Sequence, residues 1–447
     1  MDISLNARLK KAGLNRKIIT GALLFSAIIG FAFNYQNTLQ EGTVIGAYQE
    51  IEQVFAEISA SRKWVLIGDE LSAREKTITV EVALAAEAEE LFSASDLTYE
   101  ISETPKTGTF NRSADGKFFA QVSVADLKPG EYAVVAKTQR NGNEFTSEEV
   151  NFNVSYPLYV AWTLDWEGYD VKPEYLDAID KIADQHGTPI THFFNPRIYT
   201  SSAISEARAE YLTSWVIERN RTRGDEIALH LHMFPDMVKA AGVEPRYSPN
   251  WGSTLKDGYD ILTSAYTYEE TVQLLNWSRD IFAQEGLGTP ISFRAGGWFA
   301  DEETLRAVQD TGFKLDSSGR TKYQFGTNGI AGPWNLAETA QPYQPSVRDQ
   351  NSVQSPTLDI WEFPNSGADS WAYREDQMYA RFTAHFSGSP LGEKRVVTYL
   401  SHPEWFHVDN PKIEGLYTKI DRFLNSQDTG PVVYITLDQA YQIWSSE

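Results

Sequence analysis

The segment TLDWEG (Thr163–Gly168) ends an apolar, strand-like run with two carboxylates, Asp165 and Glu167, placed two positions apart. In a strand, residues i and i+2 point to the same face, so both acids would crowd one spot. Like charges this close are unfavourable unless a cation lies between them or one acid keeps its proton. The spacing therefore predicts a site with a positive partner.

Two histidines, His230 and His232, end a later apolar run, EIALHLH. The same alternation turns both imidazoles inward, while the apolar residues between and before them face the other way. Two histidines and one carboxylate suit zinc or a similar divalent cation and leave a position open for water. With Glu167 as the third ligand, its charge is neutralised and Asp165 can act as a base beside it. Water activated by such a cation is a good nucleophile near neutral pH.

Three further ionisable residues end other apolar runs: Arg294 in FRAGGW, Asp316 in LDSS and His402 in LSHPEW. His402 is suited to act as a general acid toward a leaving group. Each signal has an ordinary alternative when taken singly. Arg294 would be a surface anchor, Asp316 a cap for the next segment, and H-x-H or D-x-E an incidental strand end. Their joint placement favours the metal site.

The elements that must position these residues lie in region 156–447, where apolar strand-like runs alternate with helical patterns. This alternation predicts a parallel α/β fold, most economically a barrel. In such barrels the reactive residues lie at the carboxyl ends of the strands. The acids, the histidines and the arginine named above all fall at predicted strand ends.

The ordered motifs TLDWEG, THFF, EIALHLH, FRAGGW, LDSS, WEFP, LSHPEW and ITL resemble those of the polysaccharide deacetylase superfamily, carbohydrate esterase family 4. The resemblance spans roughly residues 156–444. It implies a distorted (β/α) barrel and metal-dependent removal of N- or O-acetyl groups from polysaccharides.

Carried over position by position, Asp165 resembles the family's catalytic base, Glu167 its metal-binding acid and His230 its first metal-binding histidine. A tryptophan separates the two acids, which stand side by side in the commonest form of the motif. The family's second histidine usually comes four positions after the first, where this chain has phenylalanine. Strand geometry makes His232 the second ligand, with His192 as a fallback.

Arg294 matches the arginine that orients the base, and His402 matches the catalytic histidine. The resemblance gives Asp316 the role of the acid that supports this histidine. The proline of the arginine motif is missing, and Gly296 stands in its place.

Four tryptophans lie in or near the motif loops: Trp166, Trp298, Trp361 and Trp405. Flat aromatic rings stack on sugar faces, although buried tryptophans more often belong to the core. We expect at least one of Trp298 and Trp405 to line a saccharide groove.

Composition excludes several classes of ligand and chemistry. The chain of 447 residues carries a formal charge of −22 and no cysteine. The acidic balance disfavours nucleic acid and anionic lipid as ligands and tolerates a neutral or cationic substrate. The lack of cysteine excludes disulfides, thiolate catalysis and cysteine–zinc sites.

The amino-terminal region predicts export. Residues 1–17 are basic and precede an apolar segment at 18–35, which is expected to be an uncleaved membrane anchor or, alternatively, a signal peptide cut near residues 30–32. The basic end stays in the cytoplasm. The body then lies at the periplasmic face of a bacterial inner membrane, or is secreted if the segment is cleaved.

Two segments connect this region to the predicted barrel. Residues 36–63 carry an amphipathic pattern and are expected to form a spacer helix. Residues 64–155 alternate with period two between turn signals, which predicts a small immunoglobulin-like sandwich. No catalytic cluster occurs there, so this sandwich is expected to be a spacer or a carbohydrate-contacting module.

The leading hypothesis is an exported, zinc-dependent deacetylase of an envelope or extracellular polysaccharide, held to the membrane by its amino terminus. A second hypothesis is a catalytically altered, carbohydrate-binding or scaffold protein of polysaccharide export. A third is a glycoside hydrolase that pairs Asp165 with Glu362 or Glu404. The oligomeric state is left open.

Overall fold

The computed structural model describes residues 53–446, which belong to one compact unit, Gln53–Glu447. The predicted basic tail (1–17), membrane segment (18–35) and most of the spacer lie outside the described residues. Within 53–446, no helix has the length and apolar character needed to cross a membrane.

The first part of the described chain is all β and forms two sheets. Its strands are β1 (Phe55–Ala60), β2 (Trp64–Leu66), β3 (Thr77–Leu84), β4 (Thr98–Ile101), β5 (Thr107–Thr109), β6 (Asn111–Arg112), β7 (Phe118–Ser123), β8 (Gly130–Arg140), β9 (Asn143–Thr146) and β10 (Val150–Ser155). One sheet has the order β1-β3-β7-β6, and the other has the order β2-β10-β8-β4-β5 with β9 beside β8. Alternate residues of β3 are buried, the pattern of a sheet that covers a core on one face.

The spacer helix predicted for 36–63 is wrong in the part that the structure describes. Residues 55–60 form β1 instead, which pairs antiparallel with β3 and places Ile58 opposite Val82. The backbone N–H and C=O groups along one edge of β3 pair with those of this short segment. Tertiary pairing of this kind overrides a weak local helical preference.

The two sheets agree with the predicted all-β region, and its immunoglobulin-like class stays a prediction. One feature supports that class. The Tyr132 hydroxyl donates to the Lys128 carbonyl at 2.9 Å, in the manner of the tyrosine corner of such sandwiches.

The second part is an α/β region. Its strands are β11 (Leu158–Asp165), β12 (Ile190–Phe194), β13 (Glu226–Leu231), β14 (Ser292–Ala295), β15 (Leu315–Asp316), β16 (Gln324–Phe325), β17 (Ile330–Ala331), β18 (Trp361–Glu362), β19 (Ala368–Asp369), β20 (Arg395–Ser401) and β21 (Val432–Tyr434). Its helices are α1 (Pro173–His186), α2 (Glu206–Arg223), α3 (Pro235–Ala240), α4 (Tyr268–Gln284), α5 (Glu302–Asp310), α6 (Glu375–His385), α7 (Phe406–Ile420) and α8 (Leu437–Ser445).

Eight parallel strands follow the order β18-β15-β14-β13-β12-β11-β20-β19, with β21 beside the start of β11. Strand β20 pairs with β11, as the last strand of a barrel pairs with the first. Among the described residues no ladder joins β18 to β19, so the sheet curls round but stays open there. The predicted α/β class is thus confirmed, and the curled sheet is consistent with a distorted barrel that is open between β18 and β19.

The two ends of the curled sheet differ in character. Helix α8 closes the amino end, where the Asp438 amide donates to Glu226 at 2.9 Å and the Leu437 amide donates to Thr191 at 3.0 Å. The carboxyl ends of β11, β13, β14 and β20 carry the predicted site residues. The predicted site residues therefore lie at the end of the curled sheet opposite helix α8.

Candidate active site

The carboxyl ends of β11, β13 and β20 bring five ionisable side chains together. Asp165 is the last residue of β11, while His232 and His402 come directly after β13 and β20. With Glu167 and His230 they form one buried cluster. Burial makes every unpaired charge or lone pair in this cluster costly.

Glu167, His230 and His232 form the predicted metal-ligand set, with their donor atoms within 4.8 Å of one another. Glu167 Oε2 lies 2.5 Å from His232 Nε2 and 3.6 Å from His230 Nε2. Both Nδ1 atoms face backbone carbonyls, that of His230 at Arg294 (2.9 Å) and that of His232 at Tyr259 (2.7 Å). A carbonyl only accepts, so each Nδ1 carries the hydrogen and a neutral ring presents a lone pair at Nε2.

These lone pairs indicate that the residues fit a divalent cation. His230 Nε2 and Glu167 Oε2 are buried and have no hydrogen-bond partner. Two imidazole lone pairs directed at a carboxylate repel it unless a cation lies between them. Backbone-anchored imidazoles and one carboxylate are a donor set typical of zinc sites.

The pKa values of Glu167 and His230 are shifted by each other's charge and by those of their neighbours. Burial alone would raise the pKa of Glu167, but His232 and His230 lower it well below its ordinary value. Burial lowers the pKa of His230, and the charges of Asp165 and Glu167 more than offset this and raise it.

Gly296 explains how a histidine two positions after His230 can serve as a ligand. A Cβ atom at Gly296 would lie 2.6 Å from His232 Nδ1 and about as close to the neighbouring ring atoms, over one face of the imidazole. The Tyr259 ring stacks on the other face, with centroids 4.2 Å apart and planes inclined by 13°. The His232 ring fits because Gly296 has no side chain. The H-x-H spacing and the glycine in place of proline are therefore linked, because the His232 ring occupies the space that a side chain at position 296 would fill.

Asp165 is fixed by Arg294, as predicted. Arg294 Nη1 donates to Asp165 Oδ1 at 2.6 Å and to Thr163 at 2.8 Å. Its other nitrogens donate to the carbonyl and hydroxyl of Ser317 at 2.8 and 2.7 Å. A guanidinium held in this way orients one carboxylate oxygen and leaves the second for proton transfer.

His402 faces the ligand set from β20. Its Nε2 lies 3.4 Å from Glu167 Oε1, and its Nδ1 lies 3.5 Å from Asp409 and 3.8 Å from Asp369. Burial alone would lower the pKa of His402, but Asp369, Asp409 and Glu167 raise it to about 10. The imidazole therefore carries a proton at neutral pH and can donate it.

The predicted pairing of Asp316 with His402 is wrong. Asp316 accepts hydrogen bonds from the Ser318 hydroxyl and amide at 2.8 and 3.0 Å. It neighbours Glu362, and burial raises the pKa of both acids. In the strand order, β15 lies far from β20, whereas β19 is the neighbour of β20. Asp369 on β19 can therefore reach His402.

The two acids beside His402, Asp409 and Asp369, were not predicted from the sequence, although weak signals exist. Asp409 follows His402 by seven positions and accepts its backbone N–H at 2.9 Å. Asp369 ends a strand of only two residues, too short for periodicity to reveal. Glu404 accepts the Glu167 amide at 2.8 Å, and burial together with the charge of Glu167 raises its pKa to about 8.

Of the two predicted substrate-binding tryptophans, the structure places only Trp405 at the mouth of the site. It is partly exposed, with its ring 5.8 Å from that of His402. Trp371, which is 52% exposed, lies 5.6 Å from Trp405 and extends the aromatic surface outward. Trp298 is only 5% exposed and packs under the Arg320 guanidinium at 4.0 Å. The substrate role predicted for Trp298 is not supported.

The fallback ligand His192 lies away from the metal-ligand set. Its Nε2 pairs with Asp225 at 2.9 Å, and its ring packs against the buried Trp166. Burial lowers the pKa of His192, as expected for a neutral core histidine. The side chain of Trp166 is turned into the core and is no part of a saccharide surface.

No protein-family model matches the chain, and no curated protein matches it either. Among solved structures, the chain is similar to a protein from Mycobacterium smegmatis classed as a polysaccharide deacetylase, at 13% identity and a TM-score of 0.40, over 65% of this chain and 91% of that one. A family 4 carbohydrate esterase from Streptomyces lividans is similar at 12% identity and a TM-score of 0.32, over 62% and 91%. A 4-alpha-glucanotransferase from Thermococcus litoralis is similar at 12% identity and a TM-score of 0.38, over 64% and 40%.

Solved deacetylases are thus among the structures that this chain is similar to. The roles of individual residues rest on the geometry of this chain's own site.

Proposed function

We propose that this protein is a metal-dependent deacetylase that hydrolyses N- or O-acetyl groups of a polysaccharide. The observation that carries the proposal is the buried, unpartnered pair of atoms on Glu167 and His230, beside an acid fixed by arginine and the imidazole of His402. This set provides a cation site, a base and an acid within one buried cluster.

Each residue has one task in the reaction. Glu167, His230 and His232 would hold a divalent cation, zinc by its donor set, which would supply Lewis-acid polarisation of the acyl carbonyl and of water. Asp165, oriented by Arg294, takes a proton from the attacking water, whose oxygen bonds to the acyl carbon. His402 donates its proton to the leaving nitrogen or oxygen as the C–N or C–O bond breaks. Acetate and a free amine or alcohol are the products.

The mouth of the site supports a saccharide substrate. Trp405 and Trp371 offer adjoining aromatic surfaces beside His402, on which sugar rings can stack. The formal charge of −22 favours a neutral chain, or one that becomes cationic as amino groups are freed.

The expected location is part of the proposal. The basic residues 1–17 and the apolar segment 18–35 support an inner-membrane anchor with the body at the periplasmic face of a bacterial envelope, or a secreted protein if the segment is cleaved. Fractionation of the full chain and of a variant lacking residues 18–35 tests this. The full chain should sediment with membranes and the shortened one should not.

The test of the reaction is acetate release from an acetylated polysaccharide by the zinc-loaded protein and two variants. Asp165→Asn and His402→Ala should each lower kcat at least about 100-fold while zinc content stays unchanged. Full activity in either variant would contradict the assigned role of that residue.

The same samples separate the alternatives. A protein that neither holds nor takes up zinc would favour a carbohydrate-binding or scaffold protein. Shortened chains without acetate release would favour a glycoside hydrolase. The geometry disfavours a glycoside hydrolase. Glu362 is fully buried and accepts the Gly319 amide hydrogen, and Glu404 accepts the Glu167 amide hydrogen.

A further inference from the structure

Tyr259 holds the ligand His232 by two separate contacts. Its carbonyl accepts the His232 Nδ1 hydrogen at 2.7 Å, and its ring lies nearly parallel to the imidazole with centroids 4.2 Å apart. The Tyr259 backbone is therefore at the Nδ1 edge of the imidazole. The hydroxyl is at the end of the Tyr259 ring remote from this backbone, and the remote edge of the imidazole is Nε2, which faces Glu167.

The Tyr259 hydroxyl is free, unlike those of neighbouring tyrosines. The Tyr169 hydroxyl donates to Asp257 at 2.7 Å, and that of Tyr323 donates to the Gly297 carbonyl at 2.8 Å. Within residues 53–446, no hydrogen bond engages the Tyr259 hydroxyl, and the residue is partly exposed. A donor in this position is available to a bound molecule.

The position of the ring places it between the ligand set and the mouth. Its centroid lies 6.3 Å from that of Trp405, whose own centroid is 5.8 Å from that of His402. An acyl group that enters from this mouth would pass beside the Tyr259 ring.

We propose that the Tyr259 hydroxyl donates a hydrogen bond to the acyl oxygen as negative charge develops on it, which makes Tyr259 a further catalytic residue. This inference rests on the proposed function. A phenol keeps its proton at neutral pH, since its ordinary pKa is about 10. The phenol proton is not transferred, so no bond of Tyr259 forms or breaks. A preorganised donor of this kind typically contributes about 100- to 1,000-fold to kcat.

The test is Tyr259→Phe, which removes the hydroxyl but keeps the stacked ring and the backbone acceptor of His232. We expect kcat for acetate release to fall at least about 10-fold, with KM and zinc content within about twofold of the parent. Binding of methylphosphonate, a tetrahedral anion that mimics the charged oxygen, should weaken about 10-fold by calorimetry. Tyr441→Phe, on α8 at the opposite end of the sheet, is the matched control and should change none of these values.

Several outcomes would overturn the inference. A kcat within twofold of the parent, or unchanged methylphosphonate binding, excludes the donor role. Loss of zinc in Tyr259→Phe would show that the hydroxyl only helps to hold His232. Tyr259→Ala also removes the stacked ring, so it should lose zinc as well as activity. It is the reference for a variant in which His232 is no longer held. A parent that releases no acetate overturns the proposed function and this inference together, whereas an active parent with an active Tyr259→Phe overturns this inference alone.

Discussion

A residue without a side chain decides whether His232 can bind a cation. Gly296 lies against one face of the imidazole and Tyr259 against the other, so the ring is held in a slot. The backbone carbonyl of Tyr259 fixes the tautomer as well. Contacts of this kind behind a ligand typically change metal affinity 10- to 100-fold.

Gly296→Ala should therefore weaken zinc binding at least about 10-fold, because the new Cβ would lie 2.6 Å from His232 Nδ1. Competition with a chromogenic chelator measures the affinity. Gly392→Ala is the control, since a Cβ there meets no atom within 4 Å. Equal affinities in the two variants would show that the slot around His232 is not tight.

At the scale of elements, strand β13 serves both ends of the curled sheet. Its first residue, Glu226, accepts hydrogen bonds from Thr191 at 2.9 Å and from the Asp438 amide at 2.9 Å, and so ties β12 and α8 to the closed end. Burial, reinforced by the charge of Asp438, raises the pKa of Glu226 to about 8. The carboxyl end of the same strand supplies both histidines of the proposed cation site.

Glu226→Gln should remove a pH dependence of stability. Between the ordinary pKa of about 4.5 and the folded value of about 8, the folded state keeps a proton that the unfolded state has lost. The free energy of unfolding then falls as pH rises through this window, by up to about 1.4 kcal/mol per pH unit. Urea unfolding at pH 5, 7 and 9 should show this slope in the parent and a flatter one in Glu226→Gln. Parallel slopes would contradict the raised pKa.

At the scale of the whole described molecule, the all-β region and the curled sheet are bound together. The Asp428 carboxylate accepts the amide hydrogens of Lys63 and Trp64 at 2.7 and 2.8 Å. Tyr159 on β11 donates to Glu70 at 3.0 Å, and the Leu391 amide donates to the Ser155 hydroxyl at 2.8 Å. These bonds couple the two regions, so we expect residues 53–446 to unfold in one transition.

Asp428→Gly should lower the free energy of unfolding by about 1–2 kcal/mol, because it leaves two amide hydrogens without their acceptor. Glycine suits the positive φ of 57° at this position, so backbone strain does not contribute. Asn141→Gly, at another positive φ of 52° in a hairpin turn, is the control. Two separate calorimetric transitions in the parent would argue against the coupling.

Much of the site was already determined by the sequence. The alternation in TLDWEG and EIALHLH fixes which side chains share a face, and the strand–helix rhythm places Asp165, His230, Arg294 and His402 at strand ends. These features depend on local periodicity, which a chain carries without its fold. For that reason the side chains proposed as metal ligands, base and acid lie in one cluster, as their places at strand ends predict.

The tertiary structure alone decided which strand ends meet. Asp369, rather than Asp316, faces His402 because β19 pairs with β20 in the sheet order. The Trp298 side chain is turned into the core and the Trp371 side chain outward. The sequence does not show which of its tryptophans are buried and which are exposed. The order and closure of a sheet depend on contacts between segments far apart in the chain, and no local pattern encodes them.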